Sequence, residues 1–258
     1  MVASHHGESD HSTRIKGSIA IVGAGDHIGA AIARKFASEG YVVHAARRSA
    51  DKLASLQHEI EAAGGRCVVE SLDARHEQQV KDFFARADHI LPLRVCVFNA
   101  GGFVHCPLLE TTEQIFREMW EINCYAGFLA GREAARRMAP HGHGSIFFTG
   151  ATASMRGAAG YSAFASAKFG LRAVAQAMAR ELGPKHIHVA HLVIDAVVDT
   201  AVVRERRRQA LGRQDDASAA PGMLAEPESI ANAYWMLHHQ TPDAWTFELD
   251  LRPHKERW

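Results

Sequence analysis

The first residues with recognisable chemistry are Gly23-Ala24-Gly25-Asp26-His27-Ile28-Gly29. They follow a short apolar run, Ser18–Gly23, and lead into Ile28, Ile32 and Phe36, whose i, i+4, i+8 spacing marks one face of a helix. Glycines at a strand-to-helix turn permit a tight bend and the close approach of a pyrophosphate, whose charge meets the unpaired N–H groups of the helix start. A plain tight turn uses the same glycines, so the position between strand and helix carries the reading. Gly23, Gly25, Asp26, His27, Ile28 and Gly29 are therefore expected to hold a dinucleotide.

A second run, Tyr41–Ala46, ends in Ala45-Ala46-Arg47-Arg48. In a dinucleotide-binding unit this point meets the adenosine ribose, where an acid favours NAD(H) and an arginine accepts the 2′-phosphate of NADP(H). No Asp or Glu is present there, so Arg47 and Arg48 favour NADP(H), with NAD(H) still possible. Two solvated arginines at a helix entry are the competing explanation.

The elements that must position these residues alternate along the chain. Strands are expected at Ser18–Gly23, Tyr41–Ala46, Arg66–Ser71, Arg94–Phe98, Ser145–Thr149, Ile187–Ile194 and Trp245–Leu251. Helices fill the gaps: one from Ile28, one over Ser49–Ala63, then 76–90, 112–138 behind a Thr111-x-x-Gln114 capping box, 158–182, and one after Pro227. Seven such strands with no break in composition predict an α/β protein. Its architecture is expected to be a single doubly wound, Rossmann-type domain over 14–258 with a parallel seven-stranded sheet. Residues 1–13 are polar and read as a flexible extension. The stretch Ala196–Glu226 is long for a loop in a compact domain and reads as a lid or binding loop.

Composition narrows the function. The 258 residues are 47% hydrophobic and 22% charged, a globular balance that excludes disorder. Twenty-nine basic residues match 29 acidic ones, which argues against nucleic acid or an anionic membrane as the main partner. No apolar run reaches the length of a membrane helix and the start carries no secretory signal, so a cytoplasmic protein is expected. Cys67, Cys96, Cys106 and Cys124 form no paired motif, which fits a reducing compartment. Lys185-His186-Ile187-His188 places two histidines on one face of a strand start without further ligands, so no metal is expected. Arg204, Arg206, Arg207, Arg208 and Arg213 are either a solvated helix face or a clamp for an anionic substrate. The 17 histidines have no evident role.

Several further motifs occur in a definite order: Leu72-Asp73-Ala74, Phe98-Asn99-Ala100-Gly101, Ile122-Asn123, and Lys168 in Phe164-Ala165-Ser166-Ala167-Lys168. With the glycine loop, they make the chain resemble the short-chain dehydrogenase/reductase family from about Arg14 to Leu251. The resemblance implies that Asp73, beside Ala74, hydrogen-bonds the adenine ring and that Asn99, Ala100 and Gly101 pack beside the cofactor. It implies a structural and catalytic role for Asn123, and a Lys168 that binds the nicotinamide ribose. It also implies homodimers or homotetramers built through the fourth and fifth helices, with Ala163, Ala165, Ala167, Ala173 and Ala177 allowing a partner helix to approach closely.

The reacting end departs from the family. Its members carry Tyr-x-x-x-Lys and a serine about 13 residues earlier, to move a proton at the substrate oxygen and to hold that oxygen. Here those positions are Phe164 and Ala151. Tyr161 stands seven residues before Lys168, a spacing that resembles the enoyl-thioester reductases of the family. It is either the partner of an enolate oxygen or a helix-entry tyrosine with a packed ring. His105 and Cys106, and the hydroxyls of Thr149, Thr152 and Ser154, are weaker candidates, with solvent contact and turn capping as their ordinary roles. Asp195-Ala196 replaces the family's Pro-Gly after the sixth strand.

The expected function is an NADP(H)-preferring oxidoreductase with Asn123, Tyr161 and Lys168 at its reacting centre. It would pass hydride to or from a small organic substrate, possible substrates including anions, at a carbonyl or an activated C=C bond. The alternative is a catalytically silent NADP(H) sensor or scaffold of the same fold.

Overall fold

The computed structural model describes residues 15–200, 203–205 and 222–256. The polar extension 1–13 and the arginines 206, 207, 208 and 213 lie outside the described residues. Seven parallel strands form the central sheet in the order β3-β2-β1-β4-β5-β6-β9. They are β1 (Gly17–Val22), β2 (Tyr41–Arg47), β3 (Arg66–Ser71), β4 (Leu93–Phe98), β5 (Gly144–Thr149), β6 (Ile187–Ile194) and β9 (Glu248–Leu251). This is the doubly wound α/β architecture expected from the sequence. The order reverses between β1 and β4, and ligands of such sheets bind outside the carboxyl ends of the strands at that point.

The helices cover both faces because the strand residues alternate. Ile19 and Ile21 of β1 join a core with α1 (Ile28–Ser38), α2 (Ala54–Ala62) and α7 (Pro227–His238), through Ile32, Ile60 and Tyr234 among others. Ala20 and Val22 face the other way, onto α3 (Glu77–Ile90), α5 (Ala126–Met138) and α6 (Ser162–Leu182), through Phe83, Leu129 and Leu171. Both faces are covered, so β1, β2 and β6 are buried almost throughout and read as mainly apolar runs, interrupted by Ser18, His44, His188 and His191.

Several boundaries differ from the sequence expectation. The helix expected over 112–138 is three pieces: α4 (Glu113–Trp120), a π-turn at Glu121–Tyr125, and α5. Its cap is Thr112, whose hydroxyl accepts from the Ile115 N–H, while the Thr111 hydroxyl donates to the Cys106 and Pro107 carbonyls. The expected Thr111/Gln114 box is therefore absent, and Gln114 bonds Glu118 instead. The second helix opens with a 3-10 turn over Ala50–Leu53. The helix expected from 158 begins at Ser162, with Tyr161 as its N-cap at φ −120°. The last strand is confined to Glu248–Leu251, because the Thr246 N–H is taken by the Gln240 side chain. Within the long 196–226 stretch a two-residue pair forms, β7 (Val197–Val198) with β8 (Leu224–Ala225). His186 and His188 do not share a strand face: His186 precedes β6 at φ +57° and is exposed, whereas His188 is buried within it.

Candidate active site

At the carboxyl ends of β1, β2 and β4 a cleft of about 520 Å³ opens, lined by Gly23, Gly25, Arg48, Asp73, Asn99 and Gly101 among others. Gly23 is required for its shape. Its φ is +90°, and an added Cβ would lie 2.3 Å from the Ala100 nitrogen, so only a bare backbone lets the β1 and β4 exits pass one another. Asn99 ties the two together: its side-chain N–H donates to the Gly23 carbonyl at 2.9 Å and its backbone N–H to the Val22 carbonyl at 2.8 Å. The Asn99 side-chain oxygen Oδ1 accepts from Thr149, whose hydroxyl in turn meets the buried Tyr234 hydroxyl at 2.7 Å. Tyr234 was not signalled by the sequence, since only the packing of α7 against the sheet brings it there.

Asp26 and His27 are exposed on the loop, Ile28 is half-buried and Gly29 is buried. A Cβ on Gly29 would lie 2.7 Å from the Ala24 Cα, so this glycine permits close packing of helix on loop. His27 has φ −118° and needs no glycine for its backbone conformation. Arg47 is less available than the sequence implied, because it donates to Asp26 at 2.9 Å. Arg48 and Lys52 line the same cleft, are exposed, and form no ion pair with a described residue. Asp73 is held bidentate by Arg75, at 2.9 and 2.6 Å, and this guanidinium pulls its carboxyl down to about 2. Ala74 is buried beside it. Lys52 and Arg75 are cleft cations that the motifs did not flag; Arg75, two residues past Asp73, is the one a local search would find.

At the inner end of the cleft three elements converge. The π-turn carries the fully buried Asn123, whose amide donates to the Met119 carbonyl at 2.9 Å and the Gly102 carbonyl at 3.1 Å. Its Oδ1 is buried without a hydrogen-bond partner. Lys168 on α6 is buried, donates to the Thr149 carbonyl at 3.0 Å, and is driven down to about 8 by burial. A Cβ on Gly101 would lie 2.9 Å from Asn123 Oδ1 and 3.7 Å from Lys168 Nζ, so both polar ends face the same bare backbone. Glycine is the residue that leaves room between them.

Above Lys168 the surroundings are aromatic. Its Nζ lies 5.9 Å from the centre of the Phe164 ring, and Phe164 packs on Phe103 at 5.4 Å. Tyr161 packs on Phe103 at 5.6 Å and on His105 at 4.8 Å. Phe103 thus joins the rings of Tyr161 and Phe164, one turn apart, in a single cluster. Cys106 is bonded through its backbone to the Gly160 carbonyl at 2.8 Å, which fixes that loop against the start of α6. Ser154 bonds the Ala151 N–H at 3.1 Å, a turn-capping contact. Thr152 donates to the buried Asp195 carboxylate, which also faces Arg156 at 3.4 Å and Arg252 at 3.2 Å. The Pro-Gly position is therefore occupied by an ion-paired carboxylate, with partners that come from distant parts of the chain. Arg204 is bound bidentate to Asp199, at 2.6 Å for each contact, so it is engaged within the protein rather than free for a substrate.

A family profile described as short chain dehydrogenase matches residues 18–211. The chain belongs to the short-chain dehydrogenase/reductase family. It is thus an oxidoreductase of a family that works with a nicotinamide cofactor. It is similar to the crystal structure of a short-chain dehydrogenase from Rhodopseudomonas palustris, with 53% identity and a TM-score of 0.79 over 92% of this chain and 99% of that one. A short-chain dehydrogenase/reductase of Armillaria gallica is 29% identical, over 84% of this chain and 87% of its own length. An alcohol dehydrogenase of Thermococcus sibiricus, solved with 5-hydroxy-NADP, is 25% identical at a TM-score of 0.77, over 94% and 99% of the two chains. Among the described residues no helix is long and apolar enough to cross a membrane.

Proposed function

We propose that this short-chain dehydrogenase/reductase prefers NADP(H) and works with a non-standard reacting centre. One observation carries the cofactor reading: Arg48 and Lys52 line the cleft with no carboxylate paired to either among the described residues. Unpaired cations at the end of β2 suit a 2′-phosphate, while Arg47, steadied by Asp26, forms the adjoining wall. Asp73 and Ala74 would border the adenine, Gly23, Gly25 and Gly29 the pyrophosphate, and Asn99, Ala100 and Gly101 the nicotinamide half. The orphaned Asn123 Oδ1 and the buried Lys168 ammonium leave polar capacity for that half to use. When bound, the nicotinamide supplies or accepts a hydride.

The chain's own groups favour an activated C=C bond over a simple carbonyl. Phe164 and Ala151 give no proton to an alkoxide. Hydride addition at the β-carbon moves the C=C electron pair towards the conjugated carbonyl oxygen, where a hydroxyl stabilises the enolate, and the α-carbon then takes a proton from solvent. Tyr161, in ring contact with Phe103 beside Phe164, is the hydroxyl assigned that work. Lys168 supplies positive charge, and the rings of Phe103 and Phe164 give the site an apolar wall, Phe103 itself being largely exposed.

A second reading, a silent NADP(H) sensor or scaffold, is favoured by the packing of Tyr161 between Phe103 and His105. Titration with NADPH and NADH tests the cofactor reading: NADPH is expected to bind more tightly, and binding of neither would overturn it. A screen of enones with NADPH, repeated with Tyr161→Phe, separates the enzyme from the sensor. Loss of turnover in the variant supports the assigned role, and unchanged turnover removes it.

We also assign a homo-oligomer and a cytoplasmic location. Ala163, Ala165 and Ala167 are already buried within the protomer, so the outer face of α6 offers Phe169, Ala173 and Ala177 to a partner helix. Light scattering that returned a monomer mass would contradict the assembly.

A further inference from the structure

A second cavity lies at the other end of the sheet, beneath the amino ends of β1, β4, β5 and β6. Its volume is about 730 Å³, within the range of small-molecule sites. The motifs of the dinucleotide cleft contribute nothing to it. Its lining includes Lys16, Arg94, His143, His186, His188 and His238, and none of its lining residues is acidic. In a chain of zero formal charge, this is a local concentration of cationic and imidazole groups.

The polar side chains of this cavity fall into two groups. His188 and His238 build the wall. His238 bonds the Tyr41 hydroxyl at 2.7 Å and the Ser145 hydroxyl at 2.8 Å, and burial drives it down to about 3. His188 meets the Leu237 and Thr246 carbonyls and stacks on Trp245 at 5.0 Å with parallel rings. Both imidazoles are thus fixed, and neither has a ring nitrogen to spare.

Arg94 and His143 form the other group. Arg94 makes no hydrogen bond or ion pair with any described residue. Its stem crosses Gly17, where an added Cβ would lie 2.4 Å from the Arg94 Cγ, so the glycine at φ +141° makes room for the arginine. His143 Nδ1 is buried without a partner, and burial, then the Arg94 charge, holds that ring below its usual pKa. A guanidinium with five unused donors lining a cavity is incomplete without an acceptor. Planar oxyanions match such a guanidinium in a bidentate way.

We propose that this cavity binds a small organic oxyanion, a carboxylate or phosphate ester carried on a flat ring. Arg94 is its principal partner, His143 part of the lining, and the half-buried Trp245 the wall for the ring. The site is separate from the dinucleotide cleft and does not depend on how that cleft is read.

Calorimetric titration of the full chain with phenyl phosphate and, separately, with benzoate tests this. Binding of phenyl phosphate alone identifies a phosphate ester, and binding of benzoate alone a carboxylate; either supports the site when it depends on Arg94. Arg94→Gln, which keeps the stem over Gly17, is expected to weaken binding about tenfold or more. Arg94→Lys, which keeps the charge and loses the bidentate fork, should restore only part of it. An unaltered melting temperature in Arg94→Gln separates a lost contact from a lost fold. If neither probe binds at millimolar concentration, the proposal is overturned. It is equally overturned if Arg94→Gln leaves the binding of both probes unchanged.

Discussion

The Lys168 ammonium faces the ring of Phe164 at 5.9 Å, where members of this family present a tyrosine hydroxyl to the same lysine. The pair holds a cation against an aromatic face, and it does so without a proton donor. Phe164→Tyr adds one hydroxyl to a ring already in place. The nearby ammonium would favour its ionised form, as a proton-transfer group at a carbonyl oxygen requires. The variant is expected to gain carbonyl reduction of simple ketones with NADPH, about 100-fold above the parent, given the usual contribution of general acid catalysis. Absorbance of NADPH at steady state measures it. No gain would mean that Ala151, or the loop bearing Phe103, blocks the productive pose.

Burial of Lys168 has a stability consequence whose sign follows from its direction. Its pKa falls from 10.5 to about 8. Below about 8 both native and unfolded chains hold the proton, and the burial penalty stands in full. Between about 8 and 10.5 the unfolded chain holds a proton that the native chain has lost, so this group makes stability rise with pH. Lys168→Met should therefore stabilise the protein by about 2 kcal/mol at neutral pH, net of the lost bond to the Thr149 carbonyl. Denaturant unfolding at neutral pH and near pH 10 should show that gain shrinking. The same variant is expected to bind NADPH more weakly, which would mark the position as held for function against stability.

The strands and the glycine loop were legible in the sequence because each is a local signal. Buried parallel strands read as apolar runs, and Gly23 must be glycine because the chain crosses Ala100 there. The start of α6 is not legible because 158–161 lacks any breaker beyond Gly160, and long-range contacts, the Cys106 N–H on the Gly160 carbonyl and Tyr161 on His105, fix the entry. The π-turn at Asn123 has no periodic signature either; the side-chain bond to the Met119 carbonyl that accompanies it is visible only in three dimensions. Pairings between distant segments, such as Asp195 with Arg252 and Thr149 with Tyr234, are not encoded in spacing at all.

Arg47 and Arg48 are adjacent in sequence and differ in state, which makes them separable by mutation. Arg47 is committed to Asp26, whereas Arg48 faces the cleft without an ion-pair partner among the described residues. Arg48→Ala is expected to weaken NADPH about tenfold or more, the scale of one lost charge-assisted contact, and to leave NADH within about twofold. Arg47→Ala should cost less, because Asp26 already offsets its charge. Fluorescence titration of both cofactors against both variants measures the difference. Equal losses for NADPH and NADH would show that neither arginine meets a 2′-phosphate.

Part of the histidine excess is resolved by burial. His44 and His191 are fully buried, and burial pushes each from 6.5 down to about 4. Neither ring nitrogen of His44 has a partner. A native histidine held neutral while the unfolded chain takes up a proton means that the unfolded state binds more protons below pH 6.5. Stability then falls as pH drops from about 6.5 to about 4, by up to about 3 kcal/mol for each such residue. His44→Leu removes one of these sites together with two unsatisfied buried nitrogens. It is expected to stabilise the protein by about 1 kcal/mol at neutral pH, and by about 2 kcal/mol more near pH 5. Urea unfolding at the two pH values, with unchanged slopes, measures both terms. A gain of equal size at each pH would mean that His44 takes up its proton as readily in the native protein as in the unfolded chain, and the acid sensitivity would then have to come from His191 and the other buried rings.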